Sequence, residues 1–144
     1  MKRIKAWLRD NKATVWEGTA ELWEDPQGNE VKISDCALRV EPDKITYQWI
    51  YEGSRKTGSF DFSESLVLWR DSWHQASPTE CDYISASWSL FAIEYTYAAV
   101  PGPSWGWRIN LSERPDMALV LQMTNIAPWG EEGRAVRMVF TQQA

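Results

Sequence analysis

The sequence contains little of what metal sites and membrane spans require. There is one histidine, His74, and there are two cysteines, Cys36 and Cys81, among 144 residues. A structural zinc ion needs more Cys and His ligands than these three separated residues offer, and we expect no metal site. No stretch approaches about 18 consecutive apolar residues, so we expect no transmembrane helix and no membrane partner.

Positive charge is also scarce. The chain has 15 basic and 20 acidic side chains, for a net charge of −5. Nucleic-acid-binding domains normally carry a basic surplus, and we expect no nucleic-acid partner. The first ten residues are basic, but no apolar segment follows them, so we expect no signal peptide. These features predict a cytoplasmic protein in which Cys36 and Cys81 are reduced and buried, since a disulfide would need an oxidising compartment.

The length and composition predict one folded domain over residues 1–144. Hydrophobic residues make up 44% of the chain, which is usual for a globular protein and too high for a disordered one. Tryptophan is in excess, with ten residues. Ile4, Trp7 and Leu8 recur at helical spacing and predict an N-terminal helix within residues 1–12.

Beyond residue 12 the apolar pattern changes from helical to alternating, which is typical of half-buried strands. Turn residues such as Pro42 and Gly53 separate the alternating segments at intervals of roughly 8–12 residues. The polar segment 75–80, which contains Pro78, is predicted to be a loop. The predicted strands cover residues 15–24, 31–40, 45–51, 58–62, 66–73, 82–88, 91–98, 105–111, 119–126 and 135–141.

Many short strands and a single helix predict an all-β fold, an antiparallel up-and-down β-barrel of eight to ten strands. The segments 82–88 and 91–98 form either one long bent strand or two short ones. Closure of the sheet removes its exposed edges, and the helix would then cap one open end. A hairpin edge that stayed exposed would allow a homodimer.

One wall of the last three predicted strands is polar. Alternate residues of a barrel strand point inward, and Arg108, Gln122 and Arg137 line up on the same face. This wall either faces water or lines an internal cavity. In the second case Arg108 binds the carboxylate of an anionic ligand, because its planar guanidinium group makes two parallel hydrogen bonds.

The single histidine follows a carboxylate closely in the chain. In an extended strand Asp71 and His74 point to opposite faces and are poor partners unless a bulge intervenes. With a bulge, the Asp71/His74 region would supply a general base for a hydrolase or an isomerase. His74 would also suffice to ligate haem from one side. The remaining alternative is a structural histidine at the end of a strand.

The tryptophans divide by their place in the pattern. Trp105, Trp107 and Trp129 flank loops rich in Pro and Gly and are expected at the mouth of a cavity, where aromatic rings suit a flat or apolar ligand. Mid-strand tryptophans are expected to fill the barrel core. They are Trp16, Trp49, Trp69 and Trp88.

Three sequence strings carry a resemblance to known proteins. They are LWRDSWH at 68–74, PGPSWGWRI at 101–109 and MTNI at 123–126. Together they resemble an uncharacterised bacterial family of single-domain proteins, over roughly residues 16–140. The family is associated with a lipocalin-like (calycin) β-barrel, so the resemblance implies that fold and no particular chemistry.

The resemblance to the lipocalins proper is weaker. Their first strand carries a Gly-x-Trp motif whose tryptophan packs under an arginine from near the end of the chain. Here the order is reversed, as Trp16-Glu17-Gly18, and Arg137 lies late in the chain. A cation–π contact between Trp16 and Arg137 is the hypothesis that follows.

These observations favour non-catalytic binding of a small, partly apolar and anionic molecule, hydrophobic or amphipathic, inside the barrel. Arg108 would hold its charged end. No cofactor is identified beyond the haem option. The alternatives are an enzyme that uses the Asp71/His74 region and an interaction module with a filled core. The other expected ligand-binding residues are Trp69, Trp88, Trp105, Trp107, Asp71 and His74.

Overall fold

A computed structural model describes residues 2–23, 29–85, 87–97 and 102–144 of the chain. Within them, one helix precedes ten strands that close into an antiparallel barrel. The predicted all-β barrel with a short N-terminal helix is confirmed. The elements are α1 Lys2–Asn11, β1 Val15–Trp23, β2 Val31–Glu41, β3 Lys44–Tyr51, β4 Ser54–Phe62, β5 Leu66–Asp71, β6 Gln75–Tyr83, β7 Phe91–Tyr97, β8 Trp105–Glu113, β9 Leu119–Ile126 and β10 Glu132–Gln142.

The first and last strands close the barrel. Each strand pairs with its neighbour in the chain, and β1 also pairs with β10 from Trp16 opposite Gln142 onward. Gly18 makes this close pairing feasible, because a Cβ atom there would lie 1.7 Å from the carbonyl oxygen of Val139. A glycine in a strand often marks such a close backbone approach.

Strand β3 shows how the alternating sequence directs side chains. Ile45, Tyr47 and Trp49 are buried, whereas the intervening Thr46 and Gln48 are partly exposed. Successive side chains of a strand point to opposite faces, and in a barrel one face is the interior. Ile45, Tyr47 and Trp49 therefore fill the barrel.

Helix α1 covers the end of the barrel at which β1 begins, which we call the closed end. Ile4 and Leu8 are fully buried there, and the Trp7 ring lies 6.1 Å from that of Trp16. The amide of Asn11 donates a 2.9 Å hydrogen bond to the carbonyl of Trp7 in the last turn of the helix. Three side chains of the helix donate hydrogen bonds to separate connections or strand ends. Arg3 donates to the carbonyl of Ser89, Lys5 to Glu64 and Trp7 to Glu113.

Side chains meet across the middle of the barrel. The hydroxyl of Tyr47 on β3 lies 3.9 Å from the sulfur of Met123 on β9, on a distant strand of the closed sheet. Phe60 on β4 and Phe91 on β7 approach edge to face, with centroids 5.1 Å apart. The barrel is therefore filled at this level. We call the end of the barrel opposite α1 the mouth.

Two predicted boundaries around Pro78 are wrong. Strand β5 ends at Asp71, and the segment predicted to be a loop belongs to β6, which begins at Gln75. The β5–β6 ladder shifts register between Trp69 and Asp71, and β6 pairs with β7 through Asp82 and Tyr83 alone among the described residues. Proline is tolerated beside such irregularities, because fewer ladder hydrogen bonds need its missing N–H group.

The expected contact between Trp16 and Arg137 is not formed. Trp16 points inward and packs against Trp7, whereas Arg137 lies on the outer face, opposite Glu21. The strand alternation separates the two side chains, because they point to opposite sides of the barrel wall. Parts of the predicted pattern, namely Met1, Glu24, Ala86, Ala98 and Pro101, lie outside the described residues.

The cysteines are buried and unpaired, as predicted, with Cys36 on β2 and Cys81 on β6. Burial, reinforced by Asp35 beside Cys36 and Asp82 beside Cys81, raises the pKa of each thiol to about 12. In the part of the chain that the structure describes, no helix is both long enough and apolar enough to cross a bilayer.

Candidate ligand-binding site

Aromatic side chains converge at the mouth of the barrel. Strands β3, β7 and β8 and the turn between β5 and β6 each contribute to a set that we call the mouth cluster. Most of its rings are only half-buried, and their centroids lie 5.1 to 5.9 Å from those of their neighbours. Its members are Tyr51, Trp73, His74, Tyr95, Tyr97 and Trp107.

His74 occupies the centre of this cluster. Its ring stacks on Trp69, with centroids 5.3 Å apart and planes inclined by 14°. Its Nε2 atom is hydrogen-bonded to the hydroxyl of Tyr95, and the Tyr97 ring meets it edge to face. Burial lowers the pKa of His74 below its usual value of 6.5, so the imidazole is neutral at pH 7.

A buried polar network lies below the mouth cluster. The Tyr47 hydroxyl donates a 2.5 Å hydrogen bond to Oδ2 of Asp71 and accepts a 3.0 Å hydrogen bond from the indole of Trp69. The backbone N–H of Trp73 donates to the other oxygen, Oδ1, at 2.8 Å. Asp71 is only 1% exposed. Each of its two carboxylate oxygens accepts a hydrogen bond, and both donors are uncharged.

Gly58 makes this network feasible. It lies between Tyr47 and Asp71 in the sheet, because both residues are its register partners on the flanking strands. A Cβ atom at Gly58 would lie 2.1 Å from Cζ of Tyr47. The Tyr47 ring therefore lies directly over Gly58 and reaches the Asp71 carboxylate on the next strand. The side chain of any larger residue at position 58 would occupy the place of the ring.

Burial dominates the electrostatics of Asp71. It raises the pKa of the carboxyl group above 3.8, although the hydrogen bond from Tyr47 and the N–H of Trp73 act in the opposite direction. The indole N–H of Trp49 also lowers the pKa of Asp71, although its geometry is not that of a standard hydrogen bond. Burial and the charge of Asp71 raise the pKa of Tyr47 well above 10.0, so that this hydroxyl stays protonated.

Two indole N–H groups beside the network have no hydrogen-bond partner among the described residues. They belong to Trp49 and Trp107, which are both buried. Trp73 lies between them, with its ring centroid 5.4 Å from Trp49 and 5.6 Å from Trp107. Buried donors are nearly always satisfied in proteins, and an unpaired one often indicates a missing water or ligand acceptor.

The structure brings four of the predicted site residues together. Trp69, Asp71, His74 and Trp107 lie in or directly beneath the mouth cluster, where the Trp69 and Trp107 rings are 6.2 Å apart. That these four residues contact a ligand stays a prediction. Trp105 lies at the rim instead, half-buried, with its ring 5.6 Å from that of Trp129.

Arg108 does not line the interior, contrary to the geometry on which its predicted role depended. It lies on the outer wall, between the inward-facing Trp107 and Ile109, and forms an ion pair with Glu132. The polar wall that it shares with Gln122 faces outward. The alternation of the strand is as expected, but the apolar set takes the inside.

Trp88 is also displaced from its expected position. It lies in the connection between β6 and β7 at the closed end and is 88% exposed. Its predicted strand, residues 82–88, ends at Tyr83, and the chain then turns. Trp88 is thus far from the mouth cluster and contributes nothing to the filled core.

The Asp71/His74 pair proposed for catalysis does not meet through its side chains. The N–H of His74 donates to the backbone carbonyl of Asp71 at 3.0 Å, which closes a tight turn after β5. The side chains bond elsewhere, Asp71 to Tyr47 and His74 to Tyr95. Haem ligation through Nε2 of His74 would require Tyr95 to leave. Within the described residues, no group of His, Cys, Asp and Glu side chains has the arrangement of a metal site.

Several residues of the site were not singled out from the sequence. The alternation Tyr47-x-Trp49-x-Tyr51 on β3 and the spacing of Tyr95 and Tyr97 on β7 carry the signal, since residues two apart share a face. Gly58 gave no such signal, because its role depends on the register of three strands.

Two open concavities, of about 650 and 870 Å³, lie on the outer wall over β1 to β5. Outward-facing residues form most of each lining, and the two concavities share Glu17, Ala37 and Gln48. Neither of these two is the internal cavity expected from the sequence, and neither contacts the mouth cluster's histidine.

Comparison of the chain with protein-family models, with curated proteins and with solved structures found no match.

Proposed function

We propose that the protein binds a small, partly apolar molecule at the mouth of the barrel, against the mouth cluster. The observation that carries this proposal is the concentration of half-buried aromatic rings at the end of the barrel that α1 leaves uncovered. Ligand sites in proteins are mostly apolar surfaces with a few convergent polar groups. The His74 imidazole and the indole N–H of Trp107 are such groups here.

The middle of the barrel supports the same location. Because Tyr47 reaches Met123 across the interior, a ligand as deep as the centre would have to displace well-packed side chains. A ligand at the mouth needs no such rearrangement. It would lie on rings that are still partly open to solvent.

The separation of Asp71 from His74 favours binding without catalysis. A general base works best when a carboxylate or another group orients it toward substrate. Here the His74 nitrogen is occupied by Tyr95. The sequence predicted an anionic ligand because Arg108 was expected to line the interior. Arg108 lies on the outer wall, so the proposed function does not specify the charge of the ligand.

The family assignment forms part of the same proposal. We place the chain in the bacterial lipocalin-like family that its sequence strings resemble, as a cytoplasmic binding protein. The closed ten-stranded antiparallel barrel supports this placement at the level of the fold.

The test is a titration with 8-anilinonaphthalene-1-sulfonate, a flat apolar probe, followed by its own fluorescence. We expect Trp73→Ala to weaken binding about fivefold or more, because Trp73 is the half-buried ring that contacts Tyr51 and Trp107. Trp88→Ala is the matched control, since that ring is exposed at the closed end.

Native mass spectrometry of the purified protein accompanies the titration and would show any ligand that remains bound. Equal affinities of the wild type and Trp73→Ala would place the binding elsewhere. No binding of the probe and no additional mass would overturn the proposal and favour an interaction module with a filled core.

A further inference from the structure

We infer that the molecule bound at the mouth is an organic cation, held by the aromatic rings of the mouth cluster above the buried carboxylate of Asp71. This inference rests on the proposed function and names the chemical class of the ligand. It replaces the anion expected from the sequence with the opposite charge.

The first support is a buried carboxylate without a counter-ion. None of the ion pairs between described residues includes Asp71. Its hydrogen-bond donors are the hydroxyl of Tyr47 and the N–H of Trp73, which are neutral. A buried charge is strongly stabilised by an opposite charge and is costly without one. A cation at the mouth would supply this missing charge.

The second support is the nature of the surroundings. The faces of Trp and Tyr rings attract cations through their quadrupole, and clusters of such rings are used to recognise quaternary ammonium groups. One ring of the mouth cluster already receives a cation in this way, because Nζ of Lys32 lies 5.3 Å from the centre of the Tyr51 ring, and Glu52, 3.2 Å from the same Nζ, balances its charge. The neutral imidazole of His74 adds no repelling charge.

The third support is independent of charge. The indole N–H of Trp107 is buried and has no partner among the described residues, which indicates that an oxygen acceptor is still to be supplied there. Trp73, in the turn between β5 and β6, packs edge to face against the Trp107 ring, with the ring centroids 5.6 Å apart. A cation that carries a hydroxyl or carbonyl oxygen near its charge would satisfy both Asp71 and Trp107.

The experiment compares choline with 3,3-dimethylbutan-1-ol, in which carbon replaces the charged nitrogen and the shape is kept. Dissociation constants are measured at pH 7 from the shifts of the indole N–H resonances. We expect choline to bind the wild type about tenfold or more tightly than the neutral alcohol. In Asp71→Asn we expect this preference to fall severalfold, toward the part that the aromatic rings alone supply.

Asp61→Asn is the control for removal of a negative charge, because Asp61 faces outward on β4, and it should keep the preference. The wild-type comparison decides the inference without any variant. Equal affinities for choline and the alcohol would overturn the cation and leave the proposed binding site standing. Tighter binding of 3,3-dimethylbutanoate, the anion of matched shape, than of the alcohol at the same indole resonances would restore the anion. No binding of these three compounds or of 8-anilinonaphthalene-1-sulfonate would overturn both proposals.

Discussion

The hydroxyl of Tyr47 and the carboxylate of Asp71 are hydrogen-bonded at 2.5 Å although strand β4 lies between their strands. The bond passes over Gly58, the register partner of both residues. A single residue without a side chain thus determines whether the polar network below the mouth forms. The network in turn fixes the turn that presents Trp73 and His74, because Asp71 also accepts the N–H of Trp73.

Gly58→Ala tests this relationship. The added methyl group would lie 2.1 Å from Cζ of Tyr47, so the ring must move and its bond to Asp71 must lengthen or break. We expect a loss of about 1–3 kcal/mol in the free energy of unfolding, the usual range for overpacking. Urea denaturation monitored by tryptophan fluorescence measures it.

Gly133→Ala is the matched control. Gly133 also lies in a strand, but the nearest atom to an added Cβ is 4.0 Å away, and we expect a change within about 0.5 kcal/mol. Similar values for the two variants would show that the packing of Tyr47 over Gly58 is not what stabilises this region.

The fold was predictable because it depends on local periodicity. The alternation in segments such as Lys44–Tyr51 indicates both the strand and the residues that point inward. The first part of β6, residues 75–80, was missed because proline and polar residues are typical of loops, whereas its ladder with β5 depends on a register shift near Asp71. Such shifts are set by tertiary contacts and leave no mark on the local pattern.

The site was predictable only in part. Trp69, Asp71 and His74 lie close together because they share one short segment, and their role in binding stays a prediction. Which side of the strand Arg108 occupies was ambiguous, since parity gives two faces without naming the inner one. The partners of His74 could not be found, because Tyr95 is 21 positions away and the contact depends on the closure of the barrel.

The carboxyl group of Asp71 should make stability depend on pH. Burial raises its pKa in the folded state above 3.8, so the folded state holds the proton more tightly than the unfolded state. Its contribution to stability is present below pH 3.8 and is lost as the pH rises through the folded pKa. The unfolding free energy of the wild type minus that of Asp71→Asn should therefore decrease as the pH rises from 3.8 through the folded pKa.

The measurement is a series of urea titrations from pH 3 to pH 7 on both proteins, with Asp61→Asn as a surface carboxylate control. A difference between wild type and Asp71→Asn that increases with pH would contradict the dominance of burial. It would show that the hydrogen bonds from Tyr47 and Trp73 outweigh it.

His74 should titrate below its usual range. Burial lowers its pKa from 6.5, and because it is the one histidine of the chain, a single imidazole resonance reports it by NMR. Its contribution to stability is present above pH 6.5 and is lost as the pH falls through the folded pKa. His74→Gln should lack this loss. A midpoint at or above 6.5 would mean that the ring is not held within the mouth cluster.

The two thiols should be unreactive in the folded protein. Burial raises the pKa of both Cys36 and Cys81 to about 12, so at pH 8 roughly one thiol in ten thousand is ionised, and the thiolate is the reactive form. With 5,5′-dithiobis(2-nitrobenzoate) we expect almost no reaction in native buffer and two equivalents in guanidinium chloride. Ser54→Cys, on the exposed start of β4, should add one equivalent that reacts in native buffer. Rapid reaction of the unaltered protein would contradict the burial of one thiol, and the two sites would then be separated by Cys36→Ala and Cys81→Ala.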